Sequence, residues 1–209
     1  QKMTLNEEKT KSMIFNFRKN KQFSTRLTLN NKHIETVTEF KLLGTYITSD
    51  LKWNKNTKYL VKRAYARMEL LRQMTKFTKS TWDKLIIYKV YIRSILEQSC
   101  TVWNSSLTKK NERELERVQK VAVKLIIRNK NTYEENLNEL KIQTLKERRN
   151  TLSLNFAKNS LLNEKNEKYV HKNKQAHNMK LRKREKFQRT RTERMKNSAV
   201  VFMTKPLKT

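Results

Sequence analysis

Few side chains in this sequence have the type and spacing for catalysis. Only two aspartates occur, Asp50 and Asp83, and they fall in different expected elements. A two-metal phosphoryl-transfer site needs carboxylates converging on ions roughly 4 Å apart, and this pair lacks that context. The glutamates sit on helix flanks, at caps or in the C-terminal tail. His33, His171 and His177 are not spaced as metal ligands, and none adjoins Cys100 in a Cys/His pattern. Cys100 follows an apolar helix and reads as a small packing residue. Gly44 is the only glycine, which excludes a P-loop or a dinucleotide fingerprint. The expectation is a chain with no catalytic set, no metal ligands and no cofactor of its own.

The chemistry that the sequence favours is neutralisation of phosphate. Lys and Arg total 49 against 19 acidic residues over 209 positions, a formal charge of +30. Such self-repulsion is rarely tolerated unless a polyanion offsets it. Hydrophobic residues make up 36% of the chain, so a core can form while part stays solvated. One glycine and one proline leave little turn chemistry and favour long helices over a many-stranded sandwich. One cysteine excludes a disulfide framework. Apolar runs such as Ala199 to Met203 are far too short to span a membrane, and no signal peptide pattern opens the chain. Its start at Gln1 suggests a piece of a longer protein. Asn is abundant beside Lys, a combination that nucleotide bias can produce. The arrangement of the cations therefore matters more than their number.

Periodicity identifies the elements that must carry them. The first fifty residues read as β-rich. Ser12 to Phe17 is a short apolar run, Arg26 to Leu29 alternates, and Asn30-Asn31 tolerates a tight turn. From Val37 the alternation predicts a strand with Phe40, Leu42, Gly44 and Tyr46 on one face. Leu43, Thr45 and Ile47 lie on the other, so both faces should be covered. On spacing alone, Gly44 reads as a bulge or a crowded crossing.

After Asp50 the period becomes helical. A first helix places Leu60, Val61, Ala64, Met68 and Leu71 on one stripe, with Lys55, Lys58, Lys62, Arg72 and Lys76 opposite. A second starts near Ser80, with Asp83 three residues on, and carries Leu85, Ile86, Val90, Ile92 and Leu96 to about Ser99. A third follows Thr108, with Leu115, Val118, Val121, Ala122, Leu125 and Ile126 inward. Arg113, Arg117, Lys120, Lys124 and Arg128 cluster outward, with Glu pushed to the flanks. Random Lys enrichment would interleave the two signs; two nearly unmixed ridges point to a nucleic-acid surface. Thr132 with Glu135 and Thr144 with Glu147 fit capping boxes for two further helices. Leu137 and Leu140 anchor the first, and Leu145, Leu152, Phe156 and Leu161 the second. Residues 163–209 hold 15 basic and 4 acidic side chains, and are expected to be disordered until bound. The densest stretch, around Arg182, Lys183 and Arg184, also fits a nuclear-import address.

Five segments stand in one order across nearly the whole chain: Leu5 to Phe15 (LNEEKTKSMIF), Phe40 to Gly44 (FKLLG) with Leu51 to Asn54 (LKWN), Tyr91 to Glu97 (YIRSILE) with Val102 to Asn104 (VWN), Leu115 to Lys120 (LERVQK), and Lys196 to Thr204 (KNSAVVFMT). In that order they resemble the C-terminal part of reverse transcriptases from non-LTR (LINE-type, jockey-like) retrotransposons. The resemblance implies an α+β chain. Residues 1–50 would be the end of the polymerase palm, a short antiparallel β segment with the primer-grip hairpin. Residues 54–130 would be a helical thumb, 131–162 its continuation, and 163–209 a basic, partly disordered tail.

By that resemblance Leu43 and Gly44 hold the primer 3′ end, where a residue without Cβ admits the phosphate backbone. Lys9 would stand near the incoming triphosphate as proton donor to the leaving pyrophosphate; the alternative is an exposed surface lysine. Lys55, Lys58, Lys62, Arg113, Arg117, Lys120 and Lys124 would face an RNA–DNA hybrid, read by shape and charge. Arg182, Lys183 and Arg184 would add contacts from the tail. Trp53 and Trp103 either stack on bases or anchor the core.

The partners implied are nucleic acid, whether RNA–DNA hybrid, RNA or DNA, and the missing N-terminal polymerase and endonuclease regions, with no membrane. Mg2+ is implied for the full-length polymerase and a nuclear location for its ribonucleoprotein. The departures are clear. The Tyr-x-Asp-Asp turn and the preceding metal-binding Asp are absent, so polymerisation does not carry over. Asn56 stands where many relatives have His, and Ala199 and Val201 where Pro is common. The rival expectations are a non-catalytic RNA-binding or ribonucleoprotein-assembly protein derived from such an element, and a degenerate fragment that folds poorly.

Overall fold

A computed structural model describes residues 6, 8–17 and 26–161. Among them, strands precede residue 50 and helices follow, an α+β arrangement. Two compact units are present, Gln1–Leu60 and Val61–Thr209. The division falls inside the first long helix. The tail from 163, with Arg182, Lys183 and Arg184, lies outside the described residues.

The first unit holds β1 (Lys11–Ser12), β2 (Thr28–Leu29), β3 (Lys32–His33), β4 (Glu35–Thr36), β5 (Glu39–Leu42), β6 (Thr45–Thr48) and the start of α1 (Asn54–Phe77). Asn30 and Asn31, at φ 49° and 63°, close the β2–β3 hairpin, the conformation asparagine tolerates best after glycine. That hairpin lies between β1 and β4, so β4 returns in the β1 direction and the two pair in parallel, Lys11 opposite Glu35. The segment is therefore not purely antiparallel.

The stretch from Val37 is a hairpin and not one strand. β5 and β6 pair antiparallel with Leu42 opposite Thr45. Leu43 and Gly44, at φ 46° and 82°, form the two-residue turn, the positive-φ pattern of a type I′ hairpin. β5 is exposed along its length, so the expected two-sided cover is wrong. The chain leaves β6 through Asp50. There the Thr48 hydroxyl (2.7 Å) and the Lys52 amide (3.0 Å) donate to the carboxylate, holding its pKa down at about 2.

The second unit holds the rest of α1, then α2 (Thr81–Ile87), a π-helical turn (Tyr88–Arg93) and α3 (Ser94–Glu97) as one continuous run. Ser99 at φ 52° breaks the run before α4 (Cys100–Trp103) and a 3-10 turn (Asn104–Ser106). α5 (Lys109–Ile127), α6 (Tyr133–Glu139) and α7 (Leu145–Leu161) follow. The Thr132–Glu135 capping box is complete, and Thr144–Glu147 makes both of its reciprocal bonds at 3.2 Å. Ser80 accepts from the Asp83 amide, but the Asp83 carboxylate goes to Thr78. Thr132→Ala and Thr144→Ala should each lower stability by about 1 kcal/mol, read as a shifted midpoint in urea unfolding with unchanged slope.

The core contains Ala64, Met68, Leu71, Leu85, Tyr88, Ile92, Leu96, Leu115, Val118, Ala122 and Ile126. Four stripes depart from expectation. Val61 of α1 is only half-buried. In the second helix Ile86 and Val90 face outward, while Tyr88 is buried and donates to Gln119. In α5, Gln119 and Val123 replace the half-buried Val121 and Leu125. Gln119 Nε2 also donates to Tyr133 Oη and to the Gln143 carbonyl, both at 2.9 Å. In α7, Phe156 is exposed, and the buried stripe is Leu145, Arg149, Ser153 and Ala157. Arg149 donates from Nε to Asn104 Oδ1 (3.0 Å) and lies 5.8 Å from the Trp103 ring centre. Among the described residues no helix is long and apolar enough to cross a membrane.

Candidate nucleic-acid interface

α5 is the strongest candidate surface, and its local chemistry explains why it stands as one straight basic face. Thr108 caps its start by accepting from the Asn111 amide at 3.2 Å, and Arg128 at φ 55° closes its end. Leu115, Val118, Gln119, Ala122, Val123 and Ile126 are buried. Arg113, Arg117, Lys120, Lys124 and Arg128 are all exposed on the other side. A concave groove of about 570 Å³ runs along this face, lined by Lys110, Arg113, Glu114, Glu116, Arg117 and Lys120. Lys110 stands one turn before Arg113 on the same face. Extending the ridge backward by that period would have found it.

The acidic residues of α5 are largely directed elsewhere. Glu112 pairs with Lys146 at 3.1 Å. Glu116 accepts from Tyr133 Oη (2.6 Å) and the Leu145 amide (3.3 Å), so its charge is spent tying α5 to α6 and α7. Burial first, and then that bond to Glu116, raise the Tyr133 pKa, so its hydroxyl stays a donor. The Lys120 ammonium lies 4.9 Å from the Tyr133 ring centre, and the residue stays exposed. At the far end Arg128 Nη2 donates to Thr75 Oγ1 at 2.6 Å. The α5 ridge thus meets the turn of α1 that carries the exposed Arg72 and Lys76. Arg72 is paired with Glu69 at 3.2 Å.

In the first unit the cations divide. Lys58 is exposed, as is Lys62, which stands one turn further along α1 in the second unit. Lys55 is half-buried, paired with Glu39 and 4.9 Å from the Tyr46 ring centre. It anchors the hairpin to α1 and is not an open cation. Lys41, which sequence reasoning passed over, sits 4.5 Å from the Tyr59 ring centre and 5.7 Å from that of Tyr46. The two tyrosines meet edge to face at 4.9 Å, and buried Asn56 accepts from the Tyr46 amide at 3.1 Å. This packing holds out the hairpin tip, where the Leu43 side chain is 88% exposed. An exposed leucine in left-handed backbone is doubly unfavourable, since the conformation costs about 1 kcal/mol or more and the apolar surface faces water.

The remaining candidates fall outside these surfaces. Trp53 is 6% exposed and Trp103 fully buried, with Trp103 Nε1 donating to the Gln98 carbonyl at 2.9 Å. Both are core anchors, and neither offers a face to a base. Lys9 is exposed, with its amide donating to Asn6 Oδ1 at 3.0 Å. Asp50 serves its own turn, Asp83 bonds Thr78, and among the described residues no three His, Cys, Asp or Glu side chains group together. Burial chiefly raises the Cys100 pKa to about 11, which keeps it a packing thiol. No family model, curated protein or solved structure matches this chain.

Proposed function

We propose that this chain is the template–primer-binding region of a non-LTR retrotransposon reverse transcriptase: the last palm strands, the thumb and a basic extension. The observation that carries the reading is the basic face of α5, with its groove and with two of its acids drawn off to other helices. From Arg113 to Lys124 that face spans about 16 Å at 1.5 Å per residue, matching about five phosphate steps along one strand. Exposed cations at that reach neutralise a phosphate row without reading sequence. The exposed Leu43 tip is the second support. Its strained, apolar form suits contact with the primer sugar and backbone better than contact with water. The metal-binding carboxylates and Mg2+ belong to the preceding polymerase region, and nuclear delivery belongs to the whole ribonucleoprotein.

Competition binding with the full chain tests the reading. An RNA–DNA hybrid should outcompete duplex DNA and structured RNA of equal length. Its log affinity should fall with log salt by about 0.7 to 0.9 per neutralised phosphate. Preference for one particular RNA would instead favour a retained RNA-binding protein. Leu43→Asn separates the tip's role from its stability. The variant should be more stable by about 1 kcal/mol, because asparagine accepts the left-handed conformation, and should bind a recessed primer end more weakly. Equal or tighter primer binding would remove Leu43 from the interface.

A further inference from the structure

We infer a second binding surface, for a protein partner, on the outer side of the run that begins with α2. Trp82, Ile86 and Val90 are spaced four apart, which puts them on one stripe of the helical run. They are 64%, 41% and 55% exposed, an apolar row that monomers seldom leave to water. Tyr91 beside it is also exposed. The opposite side of the same run is buried through Leu85, Tyr88, Ile92 and Leu96, and packs on α5.

The occupant follows from shape and charge. Two β-branched aliphatic residues in the row give no stacking plane for nucleobases. The Lys89 ammonium already sits 5.6 Å from the Trp82 ring centre. An aromatic and two aliphatics one turn apart instead fit the apolar stripe of a second helix. The neighbouring charges are mostly positive, Lys79 before the stripe and Lys89 within it. The nearby acid Asp83 is engaged with Thr78. A second copy of this chain, itself at +30, would bring like charges together. The surface therefore calls for an amphipathic helix with acidic flanks, supplied by another protein. This assignment stands apart from the nucleic-acid reading, which concerns other residues.

Trp82 provides the readout, because Trp53 and Trp103 are buried. The full chain is titrated with a synthetic helical peptide bearing Leu at i, i+3, i+4 and i+7 and Glu on both flanks. Saturable blue-shifted emission and loss of acrylamide quenching are expected. Binding should weaken at least tenfold for a scrambled peptide of equal charge, and equally for the Ile86→Lys, Val90→Lys double variant. Both positions are exposed, and circular dichroism checks that the variant folds. Equal binding by the scrambled peptide would reduce the effect to charge alone and overturn the proposal. So would a shift produced by oligo(dT) and not by the peptide, or one that grows with protein concentration alone. Trp82 already shielded in the isolated chain at all dilutions would mean that the chain covers its own stripe, and would also overturn it.

Discussion

Reversing Lys58, Lys62, Lys120 and Lys124 to Glu is expected to abolish hybrid binding while leaving the helices folded. All four side chains are exposed, so none carries core packing. Lys120 alone has a ring contact, with Tyr133, and an exposed contact of that kind is worth about 0.5–1 kcal/mol. At roughly 1 kcal/mol for each charge-assisted phosphate contact, four losses amount to about a thousandfold in affinity. Repulsion by four new carboxylates adds to this. The salt slope should become shallower by about four. Gel-shift or anisotropy titrations across a salt series measure both quantities. Retained affinity in the folded variant would assign the interaction to the tail.

Trp103→Ala should cost stability and not binding specificity. The ring is fully buried, its Nε1 donates to the Gln98 carbonyl, and the Arg149 guanidinium lies against it. Removing a buried tryptophan costs about 3–5 kcal/mol. Here the change also removes the hydrogen bond to the Gln98 carbonyl and leaves a buried cation without its aromatic neighbour. Against a domain stability of about 5–15 kcal/mol, the second unit should lose cooperative unfolding or melt at much lower temperature. Thermal circular dichroism and urea titration measure it. A variant of normal stability with selectively weakened binding would instead make Trp103 a base-stacking residue.

The parts legible in the sequence were those governed by local chemistry. Asn30-Asn31, the Thr132 and Thr144 caps, and the outward row of α5 cations are near-neighbour effects, readable without the rest of the molecule. The failures have a tertiary cause. Arg149, which the stripe expected for α7 did not include, is buried because Trp103 and Asn104 face it from α4 and the 3-10 turn. Its burial rotates the α7 stripe away from Leu152 and Phe156. Gln119 is inside because three groups from three other segments bond it. Ile86 and Val90 are apolar at helical spacing, and spacing alone cannot tell a core stripe from a docking stripe. At Gly44 the alternation of flanking residues suited a continuous strand, whereas positive φ at both Leu43 and Gly44 turns the chain. Lys55 belongs to the ridge by period, but Glu39 and Tyr46 claim it.

The most direct test of the interface is a lysine-reactivity footprint of the full chain, free and bound to an RNA–DNA hybrid. Lys58, Lys62, Lys110, Lys120 and Lys124 are exposed in the free protein and should acylate readily. On the hybrid all five should be protected, while Lys79 and Lys89 on the other surface should keep their reactivity. Protection confined to Lys183 and other lysines beyond residue 163, with the α1 and α5 lysines unchanged, would contradict the assignment of these helices to nucleic acid.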